Sequence, residues 1–98
     1  MANENFSQEE VLQKIKEIIA NRLEIPENKI EKQIVISADI VHDLGADSMD
    51  FVEIIMELEE TFKLSMPDEV LEKVRTPSDL LDFVANSLQK KQSLKKIH

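Results

Sequence analysis

The residues best placed to do chemistry lie in one octapeptide, Asp43–Asp50, with the order Asp-Leu-Gly-Ala-Asp-Ser-Met-Asp. Gly45 is the only glycine in the chain, so backbone freedom is concentrated at this point. A helical apolar pattern follows, and Asp47, with Asp50 three residues later, can cap the start of that helix. Ser48 then lies on the first turn, where free backbone N–H groups and the helix dipole favour an anion such as a phosphate ester. The alternative is that Ser48 is only a capping serine.

Other kinds of chemistry have little support around this serine. A nucleophile elbow needs a glycine two residues on either side of its serine, and Gly45-Ala46-Asp47-Ser48 does not provide them. His42 is the only plausible base, and nothing in the sequence places it against Ser48. The nearby acids Asp39, Asp43 and Asp47 do not follow the calcium-loop spacing, and the absence of cysteine removes thiolate metal sites. We therefore predict no catalytic residue and no dedicated metal site.

The composition favours a small, acidic, helical binding module. A chain of 98 residues is long enough for one domain with a modest core, and 42 % hydrophobic residues are too many for a disordered chain. The formal net charge of −8 argues against nucleic acid and anionic lipid as partners. Because no apolar run could span a bilayer and no secretory signal is recognisable, we expect a cytoplasmic protein without a membrane span. We also expect it to be a monomer. An organelle matrix is the alternative if a transit peptide was removed.

Apolar residues at helical spacing predict an all-α fold, a small four-helix bundle with three longer helices and one short helix. Ser7 and Glu10 form a capping box, and Pro26 stops the helical pattern that follows them. Thr76 caps the last helix ahead of a first-turn proline. The predicted helices span about Ser7–Leu23, Asp47–Phe62, Pro67–Val74 and Thr76–Leu88.

Residues 24–47 keep no helical period and are predicted to form a long loop between the first and second helices. The run Ile34-Val35-Ile36 and the pair Ile40-Val41 have the β-branched side chains that favour strands, but no partner strand is available. We therefore expect an ordered loop whose Ile and Val side chains reach the helical core, with room for a helical turn inside it. Loops of this length are often functional.

Charge divides the chain into a helical domain, residues 1–88, and a basic tail, residues 89–98. All 20 acidic residues and only eight basic ones fall in the domain, whereas the tail has four lysines and no acid. We expect the tail to be solvated and disordered.

The octapeptide resembles the attachment motif of acyl carrier proteins. The order Asp47-Ser48-Met49 after Leu44-Gly45-Ala46 is similar to their D-S-L motif. The resemblance covers roughly Gln8–Leu88 and includes Leu58-Glu59-Glu60-Thr61-Phe62, Met66-Pro67-Asp68-Glu69 and Thr76. In that family the serine receives 4′-phosphopantetheine from coenzyme A, and the thiol of this arm carries an acyl chain as a thioester. The resemblance implies that Ser48 is the attachment site of a non-catalytic carrier for fatty-acid synthesis enzymes.

The predicted second helix also carries an unusual charge pattern. Residues 43–62 contain seven acids and no lysine or arginine. Glu53 and Glu57 form a like-charge pair at i, i+4, so a lysine at position 53 should leave the fold intact or slightly more stable. Acids alone are typical of a solvated face, but here Met49, Val52 and Met56 are interleaved with them. Such a mixture favours a docking face for basic partner surfaces.

The resemblance implies which residues meet partners and cargo. Partners would be a phosphopantetheinyl transferase and fatty-acid synthesis enzymes with basic docking patches, contacted by Asp47, Met49, Asp50, Glu53, Met56, Glu59, Glu60 and Asp68. The interior between the helices would shelter short to medium acyl chains, lined by Phe51, Ile55, Leu58, Phe62, Leu71 and Phe83.

The chain departs from the family pattern at several points, of which the longer loop and the basic tail favour a specialised carrier. Met49 replaces the usual leucine, the loop around Ile34–Asp39 is longer, and the basic tail is an addition. Thr61 and Lys63 also stand at positions that are acidic in the family. A specialised carrier for polyketide, aminoacyl or hydroxyacyl groups is therefore one alternative. The other is an unmodified helical adaptor, in which Ser48 would be only a cap.

Overall fold

The computed structural model describes residues 6–97, with side chains through Leu88. This part of the chain is all-helical, which confirms the predicted fold class. The central helix α1 packs against α3 and α5, and α2 packs against α1. The helices are α1 (Gln8–Leu23), α2 (Ile30–Gln33), α3 (Ser48–Phe62), α4 (Asp68–Leu71) and α5 (Pro77–Ile97), with a 3-10 turn at Glu27–Lys29 before α2.

The first helix begins at the predicted capping box. The Glu10 N–H donates to Ser7 Oγ at 3.1 Å, and the Ser7 N–H donates to Glu10 Oε1 at 3.0 Å. Ahead of the cap, the Phe6 ring packs edge-on against Phe62 of α3, with 5.3 Å between ring centroids. The helix ends at Glu24, which adopts a left-handed conformation with φ 59° and donates its N–H to the Ala20 carbonyl.

The core lies where the apolar stripes of the three long helices meet. Burial of these aliphatic side chains away from water is the main stabilising contribution to such a fold, at about 1.5–3 kcal/mol for each large side chain. The side chains with 0 or 1 % exposure include Val11, Ile15 and Ile19 of α1, Ile54 and Leu58 of α3, and Leu80 and Val84 of α5.

The segment between α1 and α3 is more helical than a loop, because it contains the 3-10 turn and α2. Ile34 and Ile40 are fully buried, as predicted, but Val35, Ile36 and Val41 are 40–47 % exposed. The expectation that all of these side chains reach the core is therefore wrong. Consecutive residues point in different directions, so one run can anchor the segment with only some of its side chains.

Two sets of contacts hold this segment in place. Lys16 Nζ of α1 lies 3.0 Å from Glu31 Oε1 of α2. Further along, the Ser78 N–H donates to the Ile36 carbonyl at 3.0 Å, and the Ile40 N–H donates to the Arg75 carbonyl at 2.8 Å. The segment is thereby fixed to the start of α5 just before it turns into α3.

The last two helices differ in length from their predictions. Pro67 is the N-cap of α4, and the regular helix ends at Leu71 rather than Val74. The start of α5 has the predicted cap, because the Asp79 N–H donates to Thr76 Oγ1 at 3.1 Å. Its backbone stays helical to Ile97, through residues expected to be disordered. The side chains beyond Leu88 lie outside the described part, and the domain boundary there stays a prediction.

No helix in the described part of the chain is both long enough and apolar enough to cross a bilayer.

Gly45 is required by backbone conformation rather than by space. Its φ is +83°, and a Cβ at this position would have no atom within 4 Å. We therefore expect Gly45→Ala to lower the free energy of unfolding by about 1 kcal/mol through backbone strain alone. Gly45→Asn should lower it less, because asparagine tolerates the left-handed region. Urea denaturation of the three proteins measures this, and equal stability of Gly45→Ala and the parent would contradict it.

Candidate functional site

The turn before α3 is organised by two carboxylates. Asp39 Oδ1 accepts from the N–H groups of Val41 and His42, at 3.0 and 2.8 Å. Asp43 Oδ2 accepts from the Asp39 N–H at 2.8 Å. The hydrogen bond from the His42 N–H is the main cause that lowers the pKa of Asp39 below its usual value. Both carboxylates thus accept hydrogen bonds from the backbone of the turn. In the described part of the chain, no group of three or more His, Cys, Asp or Glu side chains could hold a metal ion.

The first turn of α3 leaves Ser48 free. Asp47 is the N-cap, and its Oδ1 accepts from the Asp50 N–H at 2.8 Å, while Asp50 Oδ2 accepts from the Asp47 N–H at 3.3 Å. Ser48 is the first helical residue, is exposed, and has no hydrogen-bond partner for its hydroxyl among the described residues. The alternative that Ser48 is a capping serine is therefore wrong, because Asp47 performs that role. An oxygen here faces the positive end of the helix dipole.

A groove of about 620 Å³ runs from Ser48 along α3 to α4. Its floor and walls are mostly apolar, and Glu59, Asp68 and Glu72 add carboxylates. The structure brings three of the six expected pocket residues to this groove, namely Phe51, Ile55 and Leu71. The other lining residues are Val41, Ser48, Val52, Met56 and Met66.

The remaining three expected pocket residues lie elsewhere. Leu58 and Phe62 are buried in the core at 0 and 2 % exposure, and Phe83 is partly buried against it. None of the three lines the groove. The resemblance implies that all six residues line the interior between the helices, and occupation of that interior by an acyl chain stays a prediction.

The expected docking residues fall into two groups. Met49 and Met56 are exposed large hydrophobic side chains, at 65 and 58 %, and the carboxylates of Asp47, Glu53, Glu60 and Asp68 are exposed around them. Asp50 and Glu59 are only half-exposed and take part in the fold. Glu59 Oε2 accepts from the Met66 N–H at 2.8 Å, which fixes the wall of the groove between α3 and α4.

Arg22 is a contributor to this surface that the sequence analysis missed. Its Nε lies 3.1 Å from Asp50 Oδ1, and its Nη1 lies 3.8 Å from Glu53 Oε1. Asp50 has its pKa lowered, mainly by the hydrogen bond from the Asp47 N–H and then by Arg22. The hydrogen bond to Asp50 raises the pKa of Arg22 above its usual value. The signal was present, because Arg22 falls at helical spacing with the apolar residues Ile15, Ile18 and Ile19 of the first helix.

This contact also changes the expectation for position 53. The repulsion between Glu53 and Glu57 is partly offset by Arg22, and a lysine at position 53 would lie against the Arg22 guanidinium. The expectation that Glu53→Lys leaves the fold intact or more stable therefore lacks its physical basis.

Comparisons with known proteins converge on one family. Residues 13–84 match the family described as "Phosphopantetheine attachment site". The chain is 44 % identical over 83 residues to an acyl carrier protein of Thermosynechococcus vestitus, which covers 85 % of this chain and 98 % of that protein. It is 47 % identical over 79 residues to an acyl carrier protein of Rubrobacter xylanophilus, covering 81 % and 93 %. A solved structure of acyl carrier protein from Enterococcus faecalis has a TM-score of 0.67 and 34 % identity, covering 83 % of this chain and 98 % of that one.

The lowered pKa of Asp50 gives a pH-dependent test of the contact with Arg22. A carboxyl whose pKa is lowered by folding stabilises the fold above its unfolded pKa, about 3.9 for aspartate, and this contribution is lost as pH falls through the folded value. Asp50→Asn should therefore melt slightly below the parent at pH 7, and the difference should shrink below about pH 4. Thermal melts from pH 2.5 to 7 measure this.

The matched control is Asp82→Asn, which removes a carboxylate from an exposed position of α5 that forms no ion pair or hydrogen bond in the described residues. Asp82→Asn should melt at the same temperature as the parent at pH 7. A difference for Asp50→Asn that persists unchanged at the lowest pH would contradict the charge-based explanation.

Proposed function

The chain belongs to the acyl carrier proteins, the phosphopantetheine-attachment family, and on this premise we propose that Ser48 carries the arm. Proteins of this family are carriers rather than catalysts. They hold acyl chains as thioesters on covalently attached 4′-phosphopantetheine, and fatty-acid synthesis is their usual role. The observation that carries the assignment is that the Ser48 hydroxyl is exposed and free on the first turn of α3, because Asp47 caps that helix.

The surroundings of Ser48 fit a phosphodiester-linked group. The negatively charged phosphate would lie at the positive end of the α3 dipole, which favours an anion. No described side chain hydrogen-bonds to the Ser48 hydroxyl. We propose that the transferase supplies the base that accepts the hydroxyl proton, and that adenosine 3′,5′-bisphosphate leaves coenzyme A as the bond from the Ser48 oxygen to the phosphate forms. This chain supplies the nucleophilic oxygen, its exposure and its position.

The groove beside Ser48 is the natural path for cargo. An apolar chain leaving Ser48 meets Phe51, Ile55 and Leu71 along the groove. We propose that an acyl chain enters there and reaches toward Leu58, Phe62 and Phe83. Because Leu58 and Phe62 are buried in the core, entry requires the side chains between α3 and α5 to move apart.

The partners are a phosphopantetheinyl transferase, which supplies the arm from coenzyme A, and the fatty-acid synthesis enzymes of the cytoplasm. Their basic patches would meet the exposed side of α3, where Met49 and Met56 provide apolar contact beside Asp47, Glu53 and Glu60, with Asp68 of α4 at the edge. Opposite charges of this kind accelerate encounter and set orientation. Asp50 and Glu59 contribute less directly, since each already bonds within the fold.

Replacing Ser48 tests the proposal. Ser48→Ala should melt with the parent, because the hydroxyl makes no hydrogen bond, yet it should gain no phosphopantetheine from coenzyme A, Mg²⁺ and a phosphopantetheinyl transferase. Mass spectrometry of the intact protein should show one added group on the parent and none on the variant.

The control is Ser37→Ala, which removes an exposed serine from the segment between α1 and α3 and should be modified as the parent is. Modification that survives in Ser48→Ala, or a parent that is never modified, would overturn the assignment.

A further inference from the structure

The acids on the exposed side of α3 are not equally available to a partner. Arg22 of α1 reaches the first two turns, with its Nε 3.1 Å from Asp50 Oδ1 and its Nη1 3.8 Å from Glu53 Oε1. The side chains of Arg22 and Glu53 are 41 and 47 % exposed, so this ion pair lies on the surface that a partner would approach. These two acids, which lie within about one and a half turns of Ser48, are therefore already partly neutralised.

The far half of α3 presents its acids differently. Glu57 and Glu60 are exposed and form no ion pair within the described residues. Together with Glu53, Met56 and Glu59 they surround a concavity of about 650 Å³. Met56 contributes an apolar side chain that is 58 % exposed. This concavity offers a basic side chain two carboxylates that have no partner in the described residues, those of Glu57 and Glu60, beside the apolar contact of Met56.

We propose that Arg22 modulates the docking face by partly neutralising Asp50 and Glu53, so that Glu57 and Glu60 attract the basic groups of partner enzymes more strongly. The inference rests on the proposed attachment at Ser48, because a partner must approach this side of α3 to reach that residue. Arg22 acts through the acids and does not touch the reacting atoms.

The expected size of the effect follows from the exposure of the pair. Surface ion pairs change an equilibrium by about fivefold or less, so a partner can displace Arg22 without unfolding the protein. The loss of Arg22 should therefore change the rate of association with the partner and the affinity for it, both of which depend on salt. It should not change the rate of the chemical step. Removing Arg22 should expose Asp50 and Glu53 and strengthen attraction to a basic transferase.

Two variants with equal net charge separate this local effect from general electrostatics. Arg22→Gln and Lys14→Gln each remove one positive charge from an exposed position of α1, but Lys14 makes no ion pair in the described part of the chain. In phosphopantetheine transfer at low salt, Arg22→Gln should raise kcat/KM about threefold through a lower KM, and Lys14→Gln should change it less. Arg22→Lys keeps the charge and should stay near the parent. High salt should abolish the differences.

A second pair of variants tests which acids the partner uses. In the parent, Glu57→Gln should lower kcat/KM more than Glu53→Gln, because Glu53 is partly neutralised by Arg22. In the Arg22→Gln background, Glu53→Gln should lower kcat/KM by a larger factor than it does in the parent. Glu57→Gln should lower it by the same factor in both backgrounds. If Arg22→Gln proves unstable, the comparison of Glu53→Gln with Glu57→Gln in the parent still tests the proposal, because both single variants retain Arg22.

The outcomes distinguish the two claims. If the parent is not modified at Ser48, the proposed function fails and the inference fails with it. If the parent is modified but Arg22→Gln behaves as Lys14→Gln does, or Glu53→Gln has the same effect with and without Arg22, only the proposed role of Arg22 is overturned.

Discussion

The start of α3 at Asp47 is the constraint on which the rest of the site depends. The Asp47 carboxylate occupies the N-cap, and its reciprocal bond with Asp50 fixes the first turn. Since the cap is filled, the next side chain, Ser48, is released to solvent beside the groove. This geometry needs the chain to arrive from the correct direction, which the left-handed Gly45 and the turn organised by Asp39 provide. A single local arrangement therefore fixes the position of Ser48, the proposed attachment residue.

The same carboxylates also connect the site to the helical core. Asp50 completes the capping box and accepts from Arg22, so α1 is tied to the turn that presents Ser48. Glu59 holds the Met66 backbone and thereby the groove wall. These acids stabilise the fold, while Glu57 and Glu60 remain available at the surface. The acidic side of α3 thus combines acids that bond within the fold, Asp50 and Glu59, with the exposed acids Glu57 and Glu60.

Local signals account for what the sequence could predict. Capping boxes, apolar stripes and the lone glycine depend on residues within a few positions, and they located α1, α3 and the start of α5. Contacts between distant residues were not predictable in this way, and the Arg22–Asp50 pair, 28 residues apart, is the main example. The ends of α1 and α3, at Leu23 and Phe62, agree with the predicted ends, although Glu24 and Lys63 form left-handed caps without glycine. The ends of α4 and α5 were not predicted correctly. The exposure of Val35 and Ile36 depends on how the segment docks on α5, which a run of β-branched residues does not reveal.

The central claim is that Ser48 is the residue to which the arm is attached in the natural protein. The most direct measurement is the intact mass of the protein isolated from its natural source, followed by fragmentation of the peptide that contains Asp43–Asp50. We expect a population heavier than the unmodified chain by one phosphopantetheine, with or without an acyl group, and the added mass localised to Ser48. A protein that carries only unmodified Ser48, or an arm attached to another residue, would contradict the account.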